Sequence, residues 1–287
     1  MAKASPPEAS SWRAWRASIA LAVGVLALGV ACFMALLPTK GTVAQPAARV
    51  TIDVTPPPEV AKGEPPTPPA PEPSEPPDGV DCSVVACVAL TFDDGPSAYD
   101  AALLDKLDEL GVKATFFNTG QNTANRPEAV KRQVESGHQV GGHSWNHRDM
   151  KKLTAADACA DADRTARAIR DAAGVETTLV RPPYGSWNDE ILAACAGKTF
   201  VLWDVDTEDW LTHDPAKITA HAVNDPKPGS IILMHDTVAE TIDALPGIVS
   251  GLKARGFELV TVAGLFNDPI APGQAIYFGP RAGAPTS

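Results

Sequence analysis

At 287 residues, 44 % of them hydrophobic, the chain is long enough for one large domain or two small ones with a sizeable buried core. Its formal net charge of −11 falls wholly on residues 78–287, because residues 1–77 balance six Lys/Arg against six Asp/Glu. An acidic domain argues against a nucleic-acid partner, whose phosphates need a basic patch, and is compatible with a neutral polymer.

Residues 1–18 carry Lys3, Arg13 and Arg16 together with Trp12 and Trp15. Ile19 to Leu37 (IALAVGVLALGVACFMALL) then runs without a charged or strongly polar side chain. Roughly 20 such residues cross a bilayer core as a helix. The positive excess before the run, against Lys40 after it, predicts a cytoplasmic N-terminus. The reading is a transmembrane anchor over 19–37 with the rest of the chain outside the cytoplasm. A cleaved signal segment, giving a secreted protein, is the alternative. Its apolar region usually spans about 7–15 residues, and Thr42-Val43-Ala44 is a poor cleavage site. Residues 38–79 read as a linker. Pro56 to Pro77 is dominated by Pro, Glu, Ala and Thr, which favour an extended spacer of about 3.1 Å per residue.

Residues 80–266 read as one α/β domain. Strand-like runs at Val88–Phe92, Lys113–Phe117, Gln139–Gly142, Thr178–Val180, Phe200–Val205, Ser230–Met234 and Phe257–Val262 alternate with helical stretches. The helices are expected at Tyr99–Leu110, Pro127–Ser136, Ala155–Ala173, Asp189–Ala196, Pro215–Val223 and Thr241–Lys253, the last broken near Pro246. About seven alternations imply parallel strands covered by helices. An open sheet and a barrel both fit that pattern. Asp93, Asp94, His143, Arg181, Asp206 and His235 each follow an apolar run, as site residues do at the strand C-termini of an α/β barrel. The Gly-, Ala- and Pro-rich tail, 267–287, is expected to be flexible.

Five motifs carry chemistry. Thr91-Phe92-Asp93-Asp94-Gly95-Pro96 puts two carboxylates at a strand end, though Asp-Asp-Gly-Pro alone is also good turn chemistry. His143-Ser144-Trp145-Asn146-His147 spaces two histidines by four, so both rings reach one metal if they share a helical turn. Two His plus one Asp leave positions open for water and substrate, the layout of a catalytic metal site. Arg181-Pro182-Pro183-Tyr184-Gly185 is a rigid turn whose amide can be aimed at an oxyanion. Trp203 to Trp210 sets four carboxylates between two indoles, and Ile231 to Asp236 ends a buried strand in His235. A histidine there can serve as a general acid.

In this order the motifs resemble those of the family 4 carbohydrate esterases, the polysaccharide deacetylases with a NodB-homology domain, over about Val80 to Phe266. The resemblance implies a distorted, incomplete (β/α) barrel and hydrolysis of N-acetyl groups, with peptidoglycan N-acetylglucosamine as the first substrate for an anchored enzyme. Chitooligosaccharide and O-acetylated xylan fit the same chemistry. A catalytically inactive glycan-binding module would be expected to lack a ligand or the base, and none is missing. By resemblance Asp94, His143 and His147 hold the metal, usually zinc, with cobalt or nickel as substitutes. Asp93 is the base, tuned by Arg181. The Tyr184 amide stabilises the oxyanion. Asp209 orients His235, the acid, and Trp210 and Leu233 receive the acetyl methyl. Among the cysteines, Cys82 and Cys87 flank a short turn and can pair, whereas Cys159 and Cys195 pair only if their two helices pack together.

Overall fold

The computed structural model describes residues 78–266 and 269–281. The anchor expected over 19–37 and most of the linker lie outside the described residues. Among those described, no helix is long and apolar enough to cross a membrane. In chain order the elements are β1 (Cys87–Asp93), α1 (Asp100–Leu110), β2 (Thr115–Asn118), α2 (Gly120–Asn125), α3 (Pro127–Glu135), β3 (Gln139–Gly142) and α4 (Ala155–Ala173). They continue as β4 (Leu179–Val180), α5 (Asp189–Ala194), β5 (Thr199–Val201), β6 (Val205–Asp206), α6 (Asp209–Thr212), α7 (Pro215–Asn224), β7 (Ile231–His235), α8 (Ala239–Ala254), β8 (Glu258–Val260) and β9 (Ala275–Ile276).

The strands make one sheet in the order β6-β7-β1-β2-β3-β4-β5-β9, with β8 pairing β1 off this path. Its strand pairs are all parallel. Only Leu202 to Asp204 separate β5 from β6, yet β6 opens the order and β5 lies near its far end. The sheet therefore curls back on itself, a distorted partial barrel as the motifs implied. The single strand expected over 200–205 is interrupted where the chain passes from its β4 and β9 partners to β7, at Asp204. Its carboxylate accepts from the Ile231 N–H and the Ser230 hydroxyl, both at 2.9 Å.

β1 shows how sequence period becomes a site. Successive side chains alternate between faces. Val88, Leu90 and Phe92 pack outward against Leu103, Leu104 and Leu107 of α1, Ile218 of α7 and Ile248 of α8. Cys87 and Ala89 pack inward with Phe117, Leu179, Val201 and Ile231. Continuing the inward set gives Thr91 and then Asp93, so the last residue of the strand delivers a carboxylate into the concave side. The strand is buried along its whole length, as expected where both faces of a parallel sheet are covered.

Two expectations change here. The helix expected to break near Pro246 runs through it as α8, held on both sides of the proline by buried Thr241, Ala244, Leu245, Ile248, Val249 and Leu252. The tail expected to be flexible is folded over 269–281. The Phe200 and Leu202 N–H groups donate to Gln274 and Ile276 at 2.8 and 2.7 Å, because the open edge of β5 needs acceptors. Further on, the Gly279 N–H donates to the Gly229 carbonyl at 2.8 Å. Gly229 has φ +85°, and a Cβ there would lie 2.6 Å from the Gly279 oxygen, so no other residue fits. Cys82 and Cys87 form a disulfide. Cys159 and Cys195 do meet where α4 packs on α5, but as free thiols. Burial, and then the Cys159 thiol hydrogen-bonded to it, raise the pKa of Cys195 and keep it protonated.

Candidate active site

Asp93 and Asp94 are adjacent, and on a regular strand they would face opposite ways. Asp94 instead takes a left-handed φ of 78° just beyond β1. Both carboxylates then reach His143, whose Nε2 lies 3.5 Å from Asp94 Oδ1 and 3.8 Å from Asp93 Oδ2. His147 Nε2 lies 3.3 Å from the same Asp94 oxygen. The two histidines do not share a helix. They occupy a turn in which Ser144 and His147 have positive φ, 56° and 57°, and their ring centroids are 5.0 Å apart. Other parts of the fold pin this turn. The Trp145 N–H donates to Asp161 of α4 at 2.7 Å, and the Gly120 and Gln121 N–H groups of α2 donate to Ser144 and Trp145.

The three ligand atoms of Asp94, His143 and His147 lie within 4.8 Å of one another. His143 Nδ1 is 2.7 Å from the Arg181 carbonyl, so Nδ1–H donates there and the Nε2 lone pair faces Asp94. Burial lowers the His143 pKa to about 3 against the pull of Asp94, so the ring is neutral and able to ligate. Asp94 Oδ1 is a buried atom with no hydrogen-bond partner among the described residues. An orphaned carboxylate oxygen facing two imidazole lone pairs is the donor set a divalent cation satisfies.

Arg181 follows β4 and is fully buried. Its Nη1 donates to Asp93 Oδ1 at 2.8 Å and to Thr91 Oγ1 at 2.7 Å, while Nε and Nη2 donate to the Val201 and Leu202 carbonyls. The guanidinium also stacks 4.1 Å from the Phe117 ring centroid. Burial raises the Asp93 pKa and the adjacent Arg181 charge opposes it, so the carboxylate is basic yet anchored. Only Oδ1 is tied to Arg181. Oδ2 is turned toward His143 and remains available to take a proton.

On the other side, His235 ends β7 next to Asp93 in register. Its Nδ1 lies 2.7 Å from Asp209 Oδ1. Asp209 Oδ2 accepts from the His235 N–H and from Thr241 Oγ1, both at 2.7 Å, and Oδ1 also accepts from the Trp210 N–H. Burial alone would lower the His235 pKa. The Asp209 hydrogen bond and charge, with Asp93 and Asp94 behind it, outweigh burial and raise it to about 9. Tyr184 has φ 61°. The residue is 69 % exposed, and its ring packs edge-on at 4.6 Å against His147. Trp210 is 53 % exposed on α6, and Leu233 is buried in β7 two residues before His235. Thr91 and Thr241 were not singled out from sequence. Thr91 had a signal, the period-two relation to Asp93; Thr241 had none.

Residues 82–201 match the polysaccharide deacetylase family. The chain belongs to that family. It is 37 % identical over 191 residues to the peptidoglycan-N-acetylglucosamine deacetylase of Listeria monocytogenes, which covers 66 % of this chain and 41 % of the relative. The chain thus spans about two fifths of that relative's length. Among solved structures, the deacetylase domain is similar to a T48 deacetylase with substrate, at 46 % identity and a TM-score of 0.66, covering 69 % of this chain and 99 % of that one. It is also similar to the family 4 carbohydrate esterase of Streptomyces lividans in complex with acetate, at 38 % identity and a TM-score of 0.61, covering 65 % and 98 %. The matched family region ends at Val201, and two residues of the candidate site, Asp209 and His235, lie beyond it.

Proposed function

We propose that this polysaccharide deacetylase removes N-acetyl groups from a cell-wall glycan, peptidoglycan N-acetylglucosamine first, releasing acetate. The observation that supports the reading is that a carboxylate and a histidine border the Asp94, His143 and His147 cluster, which could hold a cation. Asp93 lies beside His143, and His235 lies beside Asp93 on the neighbouring strand. The relatives' names support the substrate class.

In this reading each residue takes the task that the family resemblance implies, and its geometry supports it. Asp94, His143 and His147 hold a divalent cation, which we take to be zinc with cobalt or nickel as substitutes. Such an ion supplies Lewis acidity to the acetyl carbonyl and acidifies the attacking water. Asp93 Oδ2 accepts the water proton while Arg181 fixes Oδ1. The Tyr184 N–H donates to the developing oxyanion. His235, with Nδ1 held by Asp209, presents Nε2–H to the leaving amine. Trp210 and Leu233 flank this pair and receive the acetyl methyl. The apolar run 19–37 and the Pro-rich segment after it support an extracytoplasmic enzyme held to the membrane on a spacer. Retention of the tagged full chain in the membrane after a carbonate wash is expected; a mature N-terminus near Gln45 would replace the anchor with a cleaved leader.

The deciding assay is acetate release by the full chain from peptidoglycan, chitooligosaccharides and acetylated xylan, with zinc, with chelator, and in Asp94→Ala. Cation-dependent release from peptidoglycan is expected. Release from chitooligosaccharides alone would move the substrate, and release from xylan alone would make the enzyme an O-esterase. No release from any of the three, with cation bound, would remove the hydrolase reading.

A further inference from the structure

Behind the catalytic residues lies a polar cluster that the reaction does not use. Asp236 follows His235, and its side chain is only 1 % exposed. Neither of its carboxylate oxygens receives a hydrogen bond from an N–H or hydroxyl group among the described residues. Its side-chain neighbour is the buried carboxyl of Asp100, at the start of α1. Asp100 is well supplied with donors. Its Oδ1 accepts from the Ser97 N–H at 2.7 Å and its Oδ2 from Gln133 Nε2 at 3.1 Å. Gln133 in turn accepts from Asn118 Nδ2 at 2.7 Å.

The cluster sits directly under the turn that carries the base and a ligand. A Cβ on Gly95 would fall 1.7 Å from Asp236 Oδ2 and 3.0 Å from Asn118 Oδ1, so the Gly95 backbone rests on the Asp236 carboxyl. The Asp236 backbone grips the same turn, its N–H donating to the Asp93 carbonyl at 3.3 Å and its carbonyl accepting from Ser97 Oγ at 2.7 Å. Two adjacent buried carboxyls cannot both be ionised without a large penalty. Asp100 has N–H donors to stabilise an anion, and Asp236 has none. The one proton therefore belongs on Asp236, where it makes the hydrogen bond the pair otherwise lacks. Burial first, and then the Asp100 charge, push the Asp236 pKa well above the usual carboxylate range, with Asp94 and Asp93 adding to the same direction.

We propose that Asp236 is a neutral carboxylic acid that donates its proton to Asp100, and that this hydrogen-bonded pair is the positioning platform for the Asp93–Ser97 turn. Asp236 is a positioning residue in this scheme and touches no reacting atom.

The test uses the full chain loaded with zinc and compares wild type, Asp236→Asn and Asp236→Ala. Three quantities are read: the infrared C=O band of a protonated carboxyl at neutral pH, zinc affinity by chelator competition, and kcat and KM for acetate release from chitooligosaccharides. The infrared and zinc readings need no turnover, so they remain interpretable if the assigned substrate is wrong. The wild type is expected to show a protonated-carboxyl band that disappears in Asp236→Asn. The asparagine amide donates to Asp100 as the acid does, so this variant is expected to stay within about threefold of wild-type zinc affinity and kcat. Asp236→Ala is expected to lose about tenfold or more in both, with KM little changed, since a misplaced turn harms geometry more than substrate binding. No Asp236-dependent band at neutral pH would overturn the proposal. So would an asparagine variant as impaired as the alanine one. If the alanine variant does not fold, the band and the asparagine variant still decide.

Discussion

The residue that shapes this site most is Arg181. It is a fully buried cation whose charge partner is Asp93, and its other donors end on Thr91 and two backbone carbonyls. Removing one member of a buried pair leaves the other uncompensated, which typically costs about 3–5 kcal/mol. Arg181→Met is therefore expected to lower unfolding free energy by that order, read by denaturant titration, and to abolish turnover, because Asp93 then takes up a proton. His235 gives the second residue-scale prediction. Its pKa of about 9 exceeds the ordinary value of 6.5, so its link to Asp209 stabilises the fold fully below pH 6.5 and is lost as pH rises through about 9. As the acid, His235 must carry its proton, so the alkaline limb of the rate profile reports it. In Asp209→Asn that limb is expected to move to lower pH by about one unit or more. An unmoved limb would mean that another group sets it.

At the scale of elements, the loop holding His143 and His147 depends on α4. The Trp145 N–H to Asp161 hydrogen bond and the Arg164 guanidinium 3.4 Å over the Trp145 ring tie loop to helix. Asp161→Ala is expected to weaken zinc binding about tenfold, the size typical of lost outer hydrogen bonds around a metal, with little change in helix content by circular dichroism. This scale also separates what could be read in the sequence from what could not. Asp93, Asp94, His143 and His235 were legible because each follows an apolar run, and strand termini in such folds face one way; His147 was legible from its spacing of four from His143. The conformation of the histidine loop was not. A spacing of four suits a helix, and nothing in HSWNH announces that Ser144 and His147 take positive φ. The split between β5 and β6 was hidden for a similar reason, since Asp204 sits in an otherwise strand-like run and is diverted by Ser230 and Ile231, far along the chain. The β9 segment lies in the Gly-, Ala- and Pro-rich run expected to be flexible, and only the open edge of β5 gives it a structure.

For the whole molecule, the proposed cation site would link binding to folding. The triad draws Asp94 from the end of β1 and both histidines from beyond β3, so its geometry is lost on unfolding. A ligand that binds only the native state at 1,000 times its Kd adds about 4 kcal/mol. The melting temperature is expected to rise on adding zinc and to fall with chelator, and the response should vanish in Asp94→Ala. Equal melting with and without chelator in the wild type would mean that the triad does not bind the ion.

The segment 269–281 has a practical meaning for anyone cutting this chain. Ending a recombinant fragment at Phe266, where the strand-and-helix alternation stops, would strip the partners from Phe200 and Leu202 and from Gly229. Leu202 accepts from Arg181, and Gly229 lies two residues before the strand that ends in His235. Trimming there would expose a bare β-edge along β5, an invitation to intermolecular pairing. A fragment of this chain should therefore run at least through Gly279, and a shorter one should be judged as a solubility failure before it is judged as an inactive deacetylase.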